Sequence, residues 1–369
     1  TTRSTCILWA KRKMPDIREW KDIDAAWLSE ALQAGGLDAR VRAFEAGKVG
    51  TGQIGDCVRV KLDYASAPPY APKTIAGKFP SEGAESRATG VQLGNYHREV
   101  KFYQLLQPDA RISTPHCYFT DVNEETHDFV LMMSDLAPAQ QGDQLAGVTL
   151  DQTRLVLDEA AKLHSAFWQD ERLDDYAWVM NTRDAPDPIP PELVAQLWDG
   201  FKARYGSRVT PQARQVGDAM SRNLEGYSAA REGPKCLIHS DFRPDNMMFN
   251  PADPHKPVTV VDWQSFGYGP GGADVGYFIA GAIEPETRRA HESELLDLYL
   301  SRMAALGADD YSRDVFLTHY VAGAYQHFFT AFFAAMLVTQ TPRGDDMFFR
   351  MANGAVDLIA DHNALDWLD

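Results

Sequence analysis

The chain has 369 residues and a mass of 41.1 kDa, enough to bury a large core and to divide into two lobes. Its 36 Lys and Arg against 52 Asp and Glu leave a net charge of −16 and a pI near 5.0, which repels phosphate backbones and anionic lipid. That balance argues against nucleic-acid and membrane-surface partners and mildly favours cationic ones.

Four cysteines, Cys6, Cys57, Cys117 and Cys236, are widely spaced and form no C-x-x-C, so neither a disulfide framework nor a zinc site is implied and a reducing cytoplasm fits. Near the N-terminus an apolar run of four or five residues is too short for the core of a signal peptide, and residues 1–20 read as a flexible extension. Asp24 to Ala34 predicts a short amphipathic helix with Ala25, Leu28 and Leu32 on one side, stopping at Gly35-Gly36. Val41 to Glu45 predicts a strand. It leads into G-K-V-G-T-G-Q-I-G, where Gly50, Gly52 and Gly55 have the spacing G-x-G-x-x-G. That spacing suits a dinucleotide-binding loop, but such a loop must open a helix whose N-terminus meets the pyrophosphate. Here Val58 to Asp63 alternates apolar and polar with period two, so the glycines join two strands. The loop is either a phosphate-covering hairpin or an ordinary glycine-rich one.

The proline-rich stretch A-P-P-Y-A-P is a loop, and T-I-A-G-K-F-P, residues 74–80, is the next strand, carrying Ala76 and Lys78. Gly90 to Leu106 reads as one helix that contains Glu99, either a functional carboxylate or a solvated charge beside Arg98 and Lys101. His116 to Thr120 and Phe129 to Met133 read as strands, the second running through Met132 into Ser134-Asp135-Leu136-Ala137-Pro138. A domain boundary is expected near 136, dividing the chain into 21–136 and 137–369. Leu150 to Trp168 is a periodic helix in which His164 is read as a core or loop-anchoring residue. A proline-rich connector at 184–191 precedes helices at 192–204 and 211–227, and further helices are expected at 285–304, 313–337 and 345–365. Val315 to Pro342 holds no Asp, Glu, Lys or Arg, yet His319, Gln326 and His327 interrupt it, so a buried helix is favoured over a membrane span.

The most informative stretch is 236–276. Two apolar runs, Cys236 to Ile238 and Val258 to Val261, each deliver an acidic residue, Asp241 and Asp262, into a polar loop, and Asn246 lies five residues after Asp241. Two carboxylates and a carboxamide are hard oxygen donors suited to magnesium, with one carboxylate left over as a base.

His239-Ser240-Asp241, then Asn246, then Asp262-Trp263-Gln264 resembles the H-R-D-x-x-x-x-N and D-F-G elements of protein kinases. With the downstream G-P-G-G-A-D-V-G-Y-F it is more similar to the aminoglycoside phosphotransferase-like small-molecule kinases, in their choline and ecdysteroid kinase-like branch. The resemblance implies an α+β, bilobal protein-kinase-like fold: a small antiparallel N-lobe sheet with one key helix, and a larger, mainly helical C-lobe. It implies an ATP- and Mg2+-dependent phosphotransferase acting on a hydroxyl or amino group of a small-molecule acceptor. By the same resemblance Gly50, Gly52 and Gly55 would cover the phosphates, Lys78, rather than Lys61 or Lys73, would bind them, and Glu99 would fix that lysine. Adenine would lie at Ser134 against Ala76 and Met132. Asn246 and Asp262 would hold magnesium, Asp241 would act on the acceptor, Arg243 would neutralise the γ-phosphate, and His239 and Asp274 would brace the loop. Ser240 departs from the glycine or arginine usual at its position. No A-P-E signature follows Asp262, which argues against a protein kinase regulated by loop phosphorylation. A nucleotide-binding scaffold without turnover is the alternative, although none of its key residues is missing. No motif specifies the acceptor, the nucleotide base or the oligomeric state.

Overall fold

In the computed structural model, residues 15–50, 54–182 and 189–368 are described, and they form two compact units. The first comprises the chain up to Ala110, Thr114–Ala139 and Val260–Ser265; the second comprises Arg111–Ser113, Gln140–Thr259 and Phe266–Asp369. The chain passes between the units at several points, Ala139/Gln140 among them. The Asp262 loop, expected within the second lobe, clusters instead with the first unit.

The first unit opens on helix α1 (Ala25–Ala34), capped by the Asp24 side chain, which accepts from the Trp27 N–H at 2.7 Å. Five antiparallel strands follow: β1 (Arg40–Val49), β2 (Gly55–Ser66), β3 (Thr74–Pro80), β4 (Cys117–Val122) and β5 (Phe129–Ser134), in the order β1-β2-β3-β5-β4. The apolar face of α1 (Trp27, Leu28, Ala31, Leu32) packs with Val58, Val60, Ile75, Phe79, Phe119 and Met132 into one core. The predicted N-terminal extension is shorter than expected, because Ile17 and Trp20 pack against this core and Trp27 Nε1 donates to the Asp16 carbonyl at 2.7 Å. Residues 1–14 lie outside the described residues, as do Gly52 in the glycine loop and most of the proline-rich connector.

The helix expected over 90–106 is two. Helix α2 (Ala84–Gln92) ends before Gly94, which takes a left-handed φ of +67°, and α3 (Asn95–Lys101) starts a new direction and continues as a π-turn over Phe102–Leu106. Glycine is what permits the break.

The second unit is mainly helical. Helix α4 (Leu150–Ala166) starts with a Thr149/Gln152 capping box. After it come α5 (Pro191–Tyr205), α6 (Pro211–Arg222) and the short α7 (Glu225–Ala229), so the single helix expected at 211–227 stops early, at Asn223. Short strands β6 (Gln140–Gln141), β7 (Cys236–Ile238), β8 (Met247–Phe249), β9 (Val258–Val260) and β10 (Gly267–Gly269) frame the stretch that carries Asp241, Asn246 and Asp262, with β7 paired to β10 and β6 to β8. Four helices complete the unit: α8 (Gly271–Ala282), α9 (Pro285–Ala305), α10 (Arg313–Leu337) and α11 (Pro342–Asp361).

Helix α8 is wholly buried and was not among the helices expected from the sequence. Its glycines buy proximity: a Cβ on Gly276 would sit 1.8 Å from the Tyr320 carbonyl oxygen of α10, and one on Gly323 of α10 would sit 2.2 Å from the Ala273 carbonyl of α8. The two backbones therefore touch, and burial outweighs the poor helix propensity of glycine. Among the described residues no helix is long and apolar enough to cross a membrane. Tyr320, Tyr325, Phe328 and Phe332 are at most 1% exposed, so these aromatics are core, while Phe329 and Phe333 stack half-buried on each other.

Candidate active site

Period-two alternation decides which strand residues share the Lys78 face of the first unit's sheet. On β3, Ala76 and Lys78 point away from the α1 core, and the pairing places Cys57 of β2 and Leu131 of β5 opposite Lys78, and Met133 opposite Ala76. Met132 therefore points the other way: it is fully buried in the α1 core, and Met133, half-buried, takes the position on the Lys78 face that the sequence reading gave to Met132. The sequence placed it one residue off because a buried apolar run such as Phe-Val-Leu-Met-Met hides its own alternation. Ser134 ends β5 with its N–H donating to the His116 carbonyl at 2.8 Å and its Oγ accepting from the His116 N–H at 3.0 Å. Gly50, at φ +76°, closes β1, and Gly55 already belongs to β2.

Lys78 Nζ lies 2.7 Å from Glu99 Oε2 and 2.8 Å from Asp262 Oδ1. Burial alone would pull the lysine pKa down, but Asp262 and Glu99 outweigh it and the net shift is upward, so Lys78 is held charged. Burial pushes Glu99 up against the opposing pull of Lys78. Lys61, by contrast, is two-thirds exposed and pairs with surface Glu45, and Lys73 is exposed in the loop before β3. Asp262 itself has a left-handed φ of +67°. Its neighbour Trp263 is buried flat against Phe102, with centroids 3.9 Å apart and planes 2° from parallel, and Arg98 Nη1 donates to the Gln264 carbonyl at 2.7 Å. Arg98 is thus a brace of the Asp262 turn rather than a solvated charge.

The second unit holds the other cluster. Asp274, in the first turn of α8, accepts from the His239 N–H at 2.6 Å and the Ser240 N–H at 2.9 Å, while His164 Nε2 lies 3.2 Å from the same carboxylate. Ser240 adopts φ +66°, the conformation for which glycine is the easy choice. Asp241 follows. Its Oδ1 accepts from the Tyr277 hydroxyl at 2.9 Å, its Oδ2 from Asn246 Nδ2 at 2.9 Å, and Arg243 Nε lies 3.1 Å from Oδ1. Burial alone would raise the Asp241 pKa; Arg243, His239 and the hydrogen bonds from Tyr277 and Asn246 reverse this, and the group is held below the usual carboxylate range. Asp245 is enclosed: Arg243 Nη1 donates to it at 2.5 Å and the Gln144 N–H at 2.9 Å.

No three or more His, Cys, Asp or Glu side chains converge as a metal cage among the described residues. Magnesium bound alongside phosphates needs only one or two protein oxygens. The donor chemistry fits that mode, because Asn246 spends its Nδ2 on the Asp241 carbonyl and carboxylate and so offers Oδ1, and Asp262 is only partly buried, its side chain 28% exposed.

Residues 52–309 match the ecdysteroid kinase-like family, more than half of the chain. The chain belongs to that family. No curated protein sequence matches it. Among solved structures, the fold of this family member is similar to an ethanolamine kinase of Plasmodium vivax, at TM-score 0.52 and 11% identity over 85% of this chain and 82% of that one. A microcompartment-associated aminopropanol kinase is similar at TM-score 0.51 and 13% identity, over 88% and 94% of the two chains. These likenesses establish a small-molecule kinase-like phosphotransferase fold.

Tyr277 is the residue of this kinase-like chain that sequence reasoning missed. It lies three positions after Asp274, one turn along α8, so the signal was present in G-G-A-D-V-G-Y but needed the helix to be recognised.

Proposed function

We propose that the chain is a magnesium- and ATP-dependent kinase of a hydroxyl or amino group on a small molecule. The observation that carries this reading is the buried Lys78–Glu99–Asp262 cluster: a lysine held charged, 11% exposed at its side chain, within 2.8 Å of two carboxylates on a glycine-hairpin sheet. A purely structural lysine gains little from two acids, since desolvating three charges is costly unless function needs them.

In this reading Lys78 holds the α/β-phosphates and Glu99 fixes its position, with Gly50 and Gly55 allowing main-chain N–H groups to approach the nucleotide. Bound magnesium, with Asp262 and Asn246 as its protein ligands, would neutralise phosphate charge. Asp241 is ionised and held by Tyr277 and Asn246, so it accepts the acceptor's proton or orients its hydroxyl. Arg243 is held by Asp241 and Asp245, and its remaining N–H groups are the ones that would meet a γ-phosphate. His239 and Asp274 fix the loop through main-chain hydrogen bonds. Amino alcohols, after which the two fold relatives are named, are one acceptor class to screen; a scaffold that binds nucleotide without turnover is the competing reading.

The test is calorimetric titration of Mg-ATP into the wild type, Lys78→Ala and Lys61→Ala. Loss of binding in the first variant alone is the expected result. Equal losses in both would mean that the lysine has been misassigned.

A further inference from the structure

Gln326 is one of the polar residues that interrupt the apolar run of α10, and no role above uses it. It is half-buried, and its carboxamide bridges two groups of the second unit. Nε2 donates to the Ser240 carbonyl at 3.1 Å, and Oε1 accepts from Arg231 Nη1 at 2.6 Å. Arg231 lies in the turn after α7, where its Nη1 also donates to the Tyr227 hydroxyl and its guanidinium stands over the Tyr227 ring at 5.3 Å. A guanidinium only donates and a carbonyl only accepts, so the two neighbours fix which way the carboxamide faces. Neither a carboxylate nor a thioether can replace it, because neither has an N–H for the carbonyl.

The carbonyl that Gln326 holds belongs to the residue before Asp241. Ser240 has φ +66°, a left-handed conformation that disfavours an L-residue other than glycine by about tenfold in population. Asp274 accepts from the N–H of that residue at 2.9 Å and Gln326 donates to its carbonyl, so Ser240 is held on both sides. The hold on the carbonyl orients the peptide plane between Ser240 and Asp241, and that plane sets the direction in which the Asp241 side chain leaves the backbone. Asp241 then reaches the Tyr277 hydroxyl and Asn246 Nδ2 at 2.9 Å each. Without the Gln326 donor the peptide is freer to rotate, and the carbonyl of a buried residue loses that hydrogen bond.

Resting on the phosphotransferase reading, we propose that Gln326, oriented by Arg231, is a positioning residue for phosphoryl transfer: it keeps Ser240 left-handed and thereby the Asp241 carboxylate aligned. It acts through Asp241, so it affects turnover and not Mg-ATP binding.

The test compares the wild type with Gln326→Glu, Gln326→Met, and Gln326→Met combined with Ser240→Gly. ADP release from saturating Mg-ATP is followed with water alone and with ethanolamine as the phosphoryl acceptor, beside calorimetric Mg-ATP affinity and melting temperature. Both single variants should lower kcat by about 10- to 10²-fold, the size expected when reacting groups are slightly misplaced, with Mg-ATP affinity unchanged. Gln326→Glu should do so while its carboxylate pairs with Arg231 and keeps the melting temperature near that of the wild type; a packing role would leave this isosteric variant active. Ser240→Gly should recover up to about tenfold of the kcat lost by Gln326→Met, because glycine adopts positive φ without the steric penalty. An unchanged kcat, a loss of Mg-ATP affinity in step with kcat, or a melting temperature lowered as much by Gln326→Glu as by Gln326→Met would overturn the assignment. So would the absence of any recovery by Ser240→Gly. A wild type that binds Mg-ATP and turns over with neither acceptor would instead sink the phosphotransferase reading, a result distinct from an active wild type with unaffected variants. Should Gln326→Met not fold, Gln326→Glu alone decides.

Discussion

Asp241 and Asp262 are similar side chains held in different surroundings. Asp241 is fixed by Tyr277, Asn246 and Arg243 and held low in pKa, whereas Asp262 faces Lys78 from a left-handed turn braced by Trp263 and Gln264. Asp241→Asn should keep Mg-ATP binding near wild type and reduce phosphoryl transfer by about 10²-fold or more, the usual size of general-base assistance. Asp262→Asn should weaken Mg-ATP binding and recover in part at high magnesium. Titration of nucleotide beside turnover separates the two, and normal turnover by the Asp241 variant would refute the loop assignment. Most of these residues could be read from the sequence because their spacing is local: Asp241, Arg243 and Asn246 lie within one loop. Met132 was misassigned because facing is a property of the strand register, and Tyr277 was missed because its helix was not seen.

At the scale of elements, agreement followed periodicity and failure followed glycine. Long amphipathic segments such as α4, α9 and α10 were found near their observed limits. Two differences involve glycine: Gly94 breaks a helix that the apolar pattern made continuous, and α8, where no helix was expected, forms through four glycines. In α8 the contact between Gly276 and the Tyr320 carbonyl predicts that Gly276→Ala, although a better helix former, destabilises the protein by about 3 kcal/mol, at the upper end for overpacking. Chemical denaturation measures it. A neutral or stabilising result would show that α8 and α10 can separate cheaply. Because α8 carries both Asp274 and Tyr277, the same substitution should also impair turnover more than nucleotide binding.

For the whole molecule, two compact units assemble from interleaved stretches of chain. A ligand that binds only the folded chain stabilises it by mass action, so Mg-ATP should raise the melting temperature by several degrees while NAD does not. Stabilisation by NAD and not by Mg-ATP would return the glycine loop to a dinucleotide reading. The amino-acid sequence was enough for the antiparallel sheet, the strand that follows the glycines, the order of acidic loops and membership of a kinase-like class, since each rests on period, spacing or residue chemistry within a few tens of positions. Tertiary structure was needed for whatever depends on approach between distant segments. It buried Lys78 between Glu99 and Asp262 while leaving Lys61 exposed, put the Asp262 turn into the first unit, turned Met132 into the core, and brought Gln144, Gly281 and His327 together. Those pairings span tens to hundreds of residues, and their outcome is set by which side chains can share a close-packed interior, a property of three-dimensional packing rather than of any local pattern.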